Sequence, residues 1–173
     1  YQMYYLSKLF NKYLKKEKII KDIYFFFKTG GRYKGKKILI DLMPHALSFF
    51  FGLLDISYSE KKIRIVKKNI NQDNCSFHLI YKKVNFYIYL EEALTNKTQL
   101  NIKINENNIQ RVTKKMNGNY TNFLKQDSNF IKISNPLDLA FNDFSKNMNN
   151  KDIYHKNKLL TKKFLNLNAH MLN

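Results

Sequence analysis

The chain has 173 residues, 44% hydrophobic and 15% aromatic, with five glycines, two prolines and one cysteine. A single chain of this size buries about 70% of its unfolded surface, which excludes a disordered or loop-dominated polypeptide. The net charge of +18 points first to nucleic acid or an anionic membrane, yet arginine occurs only at positions 32, 64 and 111, and phosphate- and base-reading surfaces favour the bidentate arginine fork.

The lysines fall in separate elements, from Lys15-Lys16 to Lys162-Lys163. This is the pattern of a solvated surface, so neither a nucleic-acid nor a membrane partner is expected. Cys75 is alone, which excludes an internal disulfide and a Cys/His metal cluster and fits a reducing compartment. The longest apolar run, Ala46 to Leu54, is far shorter than the roughly 20 residues of a membrane span. A cytoplasmic location is expected.

In chain order, residues 4–17 read as an amphipathic helix, with Leu6, Leu9, Phe10, Tyr13 and Leu14 opposite Lys8, Lys12 and Lys15. Ile19 to Lys28 is β-branched and aromatic and ends at Thr29-Gly30-Gly31, a strand followed by a turn. Arg32 to Lys37 is a basic loop. Asp41 to Leu54 reads as a helix that is apolar on almost every side, which implies burial.

The middle of the chain is strand-like. Ile63 to Val66 is short, whereas Cys75, Phe77, Leu79 and Tyr81 alternate with more polar neighbours, as do Val84, Phe86, Ile88 and Leu90. Leu100, Ile102 and Ile104 continue that pattern, and Asn69–Asn74, Thr95–Lys97 and Asn105–Asn108 supply the breaks. The second face offers Ile80, Tyr87 and Tyr89, and a half-apolar outer face of this kind often meets another subunit.

The last third reads as helical. Leu137, Phe141, Phe144 and Met148 recur at helical spacing after Asn135-Pro136, and Leu160, Phe164, Leu167 and Met171 repeat it. The order of elements predicts one α+β domain over residues 1–173, a large open, mainly antiparallel β-sheet with helices packed on one face.

Asp41 and His45 are the first candidates for chemistry. Four residues apart on a helix, they share a face about one turn apart. A histidine near neutral pKa can take a hydroxyl proton, with the carboxylate fixing its tautomer or binding a substrate hydroxyl. The bland alternative is that Asp41 caps the helix and His45 bonds inside the core, and spacing alone favours it. Lys28 to Gly35 could bind an anion, but it matches neither phosphate-binding glycine motif, and a glycine turn with solvated lysines is the preferred reading. His78 reads as structural and Cys75 as core. His155 and His170 have no evident partner.

Gly35-Lys-Lys-Ile-Leu-Ile-Asp41-Leu-Met-Pro-His45-Ala-Leu-Ser48 resembles the "G-G-x-L-x-D-x-G-x-H" segment of the Gfo/Idh/MocA oxidoreductases, the relatives of glucose–fructose oxidoreductase and inositol dehydrogenase. Asn135-Pro-Leu-Asp-Leu-Ala-Phe-Asn-Asp-Phe-Ser-Lys146 resembles that family's late helix, and Leu159 to Leu172 its terminal helix. The start, from Tyr1 through Ile20-Lys-Asp-Ile-Tyr24, looks like the entry to the family's second domain. Lys36, Lys37 and Met43 stand where glycines are usual.

The resemblance implies that Asp41 and His45 are catalytic, His45 as proton-transfer partner and Asp41 orienting it or a sugar hydroxyl. Arg32, Tyr33 and Lys34 lie where a substrate loop would be expected. NAD(P) is implied as cofactor, although the chain carries neither a dinucleotide fingerprint nor Glu-Lys-Pro. The chain, which begins at Tyr1, is therefore expected to be the C-terminal substrate and oligomerisation domain of a two-domain enzyme, without the N-terminal Rossmann domain. Its substrate would be a sugar, cyclitol or nucleotide-sugar, and the isolated chain would be inactive. A homo-oligomer through the sheet is expected. The rival readings are a non-catalytic scaffold of the same fold and, last, a basic nucleic-acid binder.

Overall fold

The structure, a computed structural model, describes residues 6–8, 10, 19–54, 63–95, 97–116 and 118–172. Its elements are β1 (Asp22–Thr29), α1 (Lys36–Leu53), β2 (Ile63–Ile70), β3 (Asn74–Tyr81), β4 (Val84–Glu92), β5 (Gln99–Ile104), β6 (Asn107–Met116), β7 (Asn119–Gln126), β8 (Asn129–Ile133), α2 (Pro136–Asn147) and α3 (Lys151–Leu172). The strands form one open sheet in the order β2-β3-β4-β1-β5-β6-β7-β8. Every neighbouring pair is antiparallel except β1 with β4. The α+β class with a mainly antiparallel open sheet is as the sequence predicts.

Period-two alternation decides which side chains face the helices. Ile23, Phe25 and Phe27 of β1 lie in register with Phe86, Ile88 and Leu90 of β4 and with Ile104, Ile102 and Leu100 of β5. All nine are buried. Against them lies α1, which packs on β4, β1 and β3 and is itself covered by α3. Phe50 stacks on Phe86 at 4.3 Å, and Phe49 meets Phe25 at 5.6 Å and Phe10 at 5.2 Å. The α1 segment is apolar on most sides because it is a core helix.

Several boundaries differ from the sequence reading. The helix begins at Lys36, five residues before Asp41, because Gly35 adopts φ 56° and ψ −131°, a conformation suited to glycine, and so sets the helix start. β2 runs on to Ile70 past Lys67-Lys68-Asn69, with a bulge between Ile65 and Lys67. The break at Asn105–Asn108 is shorter than read, since β6 begins at Asn107, and the stretch from there to the late helices, to which the sequence reading assigned no element, forms three more strands, β6 to β8.

At the N-terminus, residues 6–8 and 10 are helical, as expected for the first helix. The remainder of residues 4–17, and the side chains of Leu137, Leu160 and Phe164, lie outside the described residues. α2 starts at Pro136 as predicted, yet Phe141, Phe144 and Met148 are exposed. α3 buries Met171 and packs Leu167 against the core. Among the described residues no helix is long and apolar enough to cross a membrane.

Candidate active site

The parallel pairing of β1 with β4 brings Thr29 and Glu92 side by side at the same end of the sheet. From Thr29 the chain turns through residues 30–35 into α1, so this sheet end, the loop and the first turns of α1 form one neighbourhood. The loop is fixed from three sides. The Tyr33 amide donates to Glu92 Oε2 at 2.9 Å, the Gly35 amide donates to the Gln72 carbonyl at 2.8 Å, and Lys34 Nζ pairs with Asp73. Two of the loop's backbone donors are thus spent on protein acceptors, in line with a glycine turn rather than an anion cradle.

Asp41 and His45 lie on α1 beside this loop. Asp41 is exposed and stands more than one turn inside the helix, whose N-cap is Gly35 without a side-chain cap. Helix capping is therefore not the role of Asp41. His45 is half-buried, with its ring edge-on to Phe27 at 5.4 Å and 76°. Burial holds the imidazole below its ordinary pKa, against the smaller upward pull of the Asp41 carboxylate. At neutral pH His45 is a neutral base able to accept a proton, with a carboxylate one turn away to stabilise the resulting cation.

Glu92 joins this pair and was not anticipated. It is 1% exposed and ends the buried face of β4. Its carboxyl accepts from the Tyr33 amide and from Thr29 Oγ1 at 3.3 Å. Burial pushes its pKa up, the neighbouring Asp41 carboxyl pushes the same way, and the Tyr33 and Thr29 donors pull it down. Gly31 packs on it so closely that an added Cβ would lie 2.2 Å from Oε1.

Signal for Glu92 was present in the sequence: the alternation Val84, Phe86, Ile88, Leu90, continued by two, places an acid in phase with the core. A buried carboxyl needs partners, and that requirement marks such a residue as a candidate.

The other candidates are dispersed. Arg32 is exposed, the Tyr33 side chain is half exposed, and Lys34 turns toward the β2–β3 turn through Asp73. Only Tyr33 reaches the cluster, through its backbone. His78 stacks on Tyr87 at 4.4 Å, with Nε2 3.1 Å from Asn85 Oδ1, on the outer face of the sheet. Cys75 is buried, and burial pushes its thiol up to about 11, as suits a core residue rather than a nucleophile. Among the described residues no group of three His, Cys, Asp or Glu side chains could hold a metal ion.

No protein-family model matches the chain, and no curated protein matches it. Among solved structures it is similar to the crystal structure of a dehydrogenase (MviM) from Clostridium difficile, with 14% sequence identity and a TM-score of 0.48. That similarity covers 95% of this chain but 60% of the other, so the chain spans less than two thirds of that protein's length.

Proposed function

We propose that this chain is the substrate domain of an NAD(P)-dependent oxidoreductase acting on a hydroxyl carbon of a sugar, cyclitol or nucleotide-sugar. The observation that carries the reading is the placement of Asp41 and His45 on one face of α1, with Asp41 free of any capping duty and His45 kept neutral by burial. The resemblance of Gly35–Ser48 to the Gfo/Idh/MocA segment supports the same assignment.

The chain's own residues do not fit a dinucleotide. Its glycines stand at 30, 31, 35, 52 and 118, so none opens a Gly-x-Gly-x-x-Gly turn. Among the described residues its sheet has a single parallel pair rather than a doubly wound core. The cofactor would be held by a domain outside these residues, and this chain's part is proton handling. The hydroxyl proton of the substrate passes to the neutral His45 imidazole, and the Asp41 carboxylate stabilises the imidazolium and orients the ring. In the reducing direction His45 returns that proton to the nascent alkoxide oxygen.

The test uses the protein together with its dinucleotide-binding domain. His45→Ala is expected to lower kcat by roughly 10²–10⁴-fold, the range of one general acid–base group, while assembly is kept. Unchanged kinetics would reject the catalytic reading and leave the scaffold of the same fold. The chain alone is expected to show no NAD(P)-linked turnover.

A further inference from the structure

Of the chain's three arginines, Arg32 and Arg64 are exposed and Arg111 is not. Arg111 stands on β6 in phase with the buried Ile109, so its side chain lies on the helix-facing side of the sheet. Its Nη2 donates to Asn122 Oδ1 at 3.2 Å, while its Nε is buried and has no partner. Among the described residues no carboxylate is paired with Arg111. A guanidinium stays protonated, so it meets burial as a fixed charge, and such a charge normally sits against an acid.

The neighbours narrow what this charge can hold. Asn122 Oδ1 already accepts from Arg111 and from Thr113 Oγ1 at 2.9 Å. What the cluster has left to offer is donors, the remaining guanidinium N–H groups and the Asn122 side-chain amide. Donors around a fixed positive charge, with the acceptor between them spent, suit an oxyanion.

Strand pairing relates this cluster to the candidate active site. Arg111 is opposite Leu100 of β5, and Leu100 is opposite Phe27 of β1, whose ring meets His45 at 5.4 Å. β6 runs in the same direction as β1, so Thr113 lies toward the sheet end that carries Thr29 and Glu92. Thr113 is exposed, which leaves that end of the face open to solvent. Two strand spacings, about 10 Å, separate β1 from β6, a span that one substituted sugar can bridge.

We propose that Arg111, with Asn122 beside it, binds a carboxylate or phosphate group of the substrate, which is therefore an acidic or phosphorylated sugar rather than a neutral one. The assignment to the substrate rests on the oxidoreductase reading of Asp41 and His45. The anion site itself does not.

The experiment follows the arginine Nε–Hε and histidine imidazole NMR signals of the chain itself at constant ionic strength. The probes are inorganic phosphate, glucose 1-phosphate, glucuronate and uncharged glucose. The Arg111 signal is expected to shift and saturate with at least one anion and to ignore glucose. Saturation by glucuronate alone assigns the site to a carboxylate, and saturation by the phosphates alone assigns it to a phosphate. Arg111→Gln and Arg111→Lys, which lacks the planar fork, are expected to weaken that binding roughly tenfold or more. Lys132→Gln removes an exposed charge on the opposite face and is expected to change it by no more than about twofold.

Shifts that never saturate overturn the site, as does a Lys132→Gln loss as large as that of Arg111→Gln, since either marks diffuse attraction to the +18 chain. Glucose that binds as well as the anions overturns it too. If Arg111→Gln does not fold, wild-type saturation and Arg111→Lys decide. The sugar that saturates Arg111 is expected to move the His45 imidazole as well, and one that leaves His45 untouched overturns the assignment to the substrate. None of these readouts uses turnover, so their failure is distinguishable from failure of the oxidoreductase reading, which His45→Ala kinetics tests.

Discussion

Glu92 and His45 are displaced in opposite directions, and their signatures in stability oppose each other. Glu92 is raised by burial, so the folded state keeps a proton that the unfolded chain loses near 4.5. Its contribution is full below that value and is lost as pH rises through its folded pKa. His45 is lowered by burial, so its contribution is full above 6.5 and is lost as pH falls through its folded pKa. Between pH 4.5 and 6.5 the slopes partly cancel. Relative to wild type, Glu92→Gln is expected to gain stability with rising pH across this window, and His45→Gln to lose it. Urea midpoints at the two ends of the window check both signs. In the sequence, Asp41 and His45 stood out because their spacing is local. The third member did not, since Glu92 meets them only through strand pairing, which no spacing rule within α1 can reveal.

At the scale of elements, the loop between β1 and α1 packs its Gly31 backbone on the end of the Glu92 side chain, so a side chain at position 31 fits only if that carboxyl moves. A methyl at Gly31 would displace the Glu92 carboxylate from Thr29 and Tyr33. Gly31→Ala is expected to cost about 1–3 kcal/mol, the range for stranding a buried polar group. The same change in a Glu92→Ala background should cost far less, so a double-mutant cycle by denaturant titration isolates the clash.

The strands β1, β3, β4 and β5 were legible in the sequence, and so was the start of α2 at Pro136, whereas α3 begins at Lys151, ahead of the Leu159–Leu172 segment read as the terminal helix. β6 to β8 were not legible. On the helix-facing side β6 offers Ile109, then Arg111 and Thr113, and β7 pairs them with Leu124 and Asn122. Hydropathy therefore does not alternate there. Polar bonding does the work instead: Asn122 is buried and its Oδ1 accepts from Thr113 Oγ1 at 2.9 Å and from Arg111 Nη2 at 3.2 Å. The readable signal was turn chemistry. Asn105, Gly118 and Asp127 all take positive φ in the tight turns between these strands, the conformation that two-residue hairpins demand.

For the whole molecule, the outer face of the sheet is the feature that an isolated domain leaves unexplained. Tyr24 stacks on Tyr87 at 4.6 Å, and Phe26 on Tyr89 at 5.1 Å with parallel planes. Tyr24 remains 42% exposed. We propose that this aromatic centre meets a second copy of the chain. Sedimentation velocity is expected to show a dimer that strengthens with added salt, as screening relieves the +18 charge on each copy. Phe26→Lys with Tyr89→Lys should return it to a monomer. A wild type that is monomeric at high concentration would refute this. The nucleic-acid reading makes the opposite forecast, tight oligonucleotide binding that falls steeply with salt.

The insertion of β1 between β4 and β5 also dictates the order in which the molecule can assemble. Thr29 and Glu92 are 63 residues apart in sequence, whereas β2-β3-β4 and β5-β6-β7-β8 are runs of neighbours. Each run can zip locally and quickly, but the strand that joins them must close long loops on both sides. Until it docks, β4 and β5 present bare edges lined by Phe86, Ile88 and Leu90 and by Leu100, Ile102 and Ile104, the kind of edge that invites pairing between chains. Thr29 meets Glu92 only once that central strand is in place. The bond from Thr29 to Glu92 thus forms only with that long-range closure, and whatever binds beside it selects chains that have completed it.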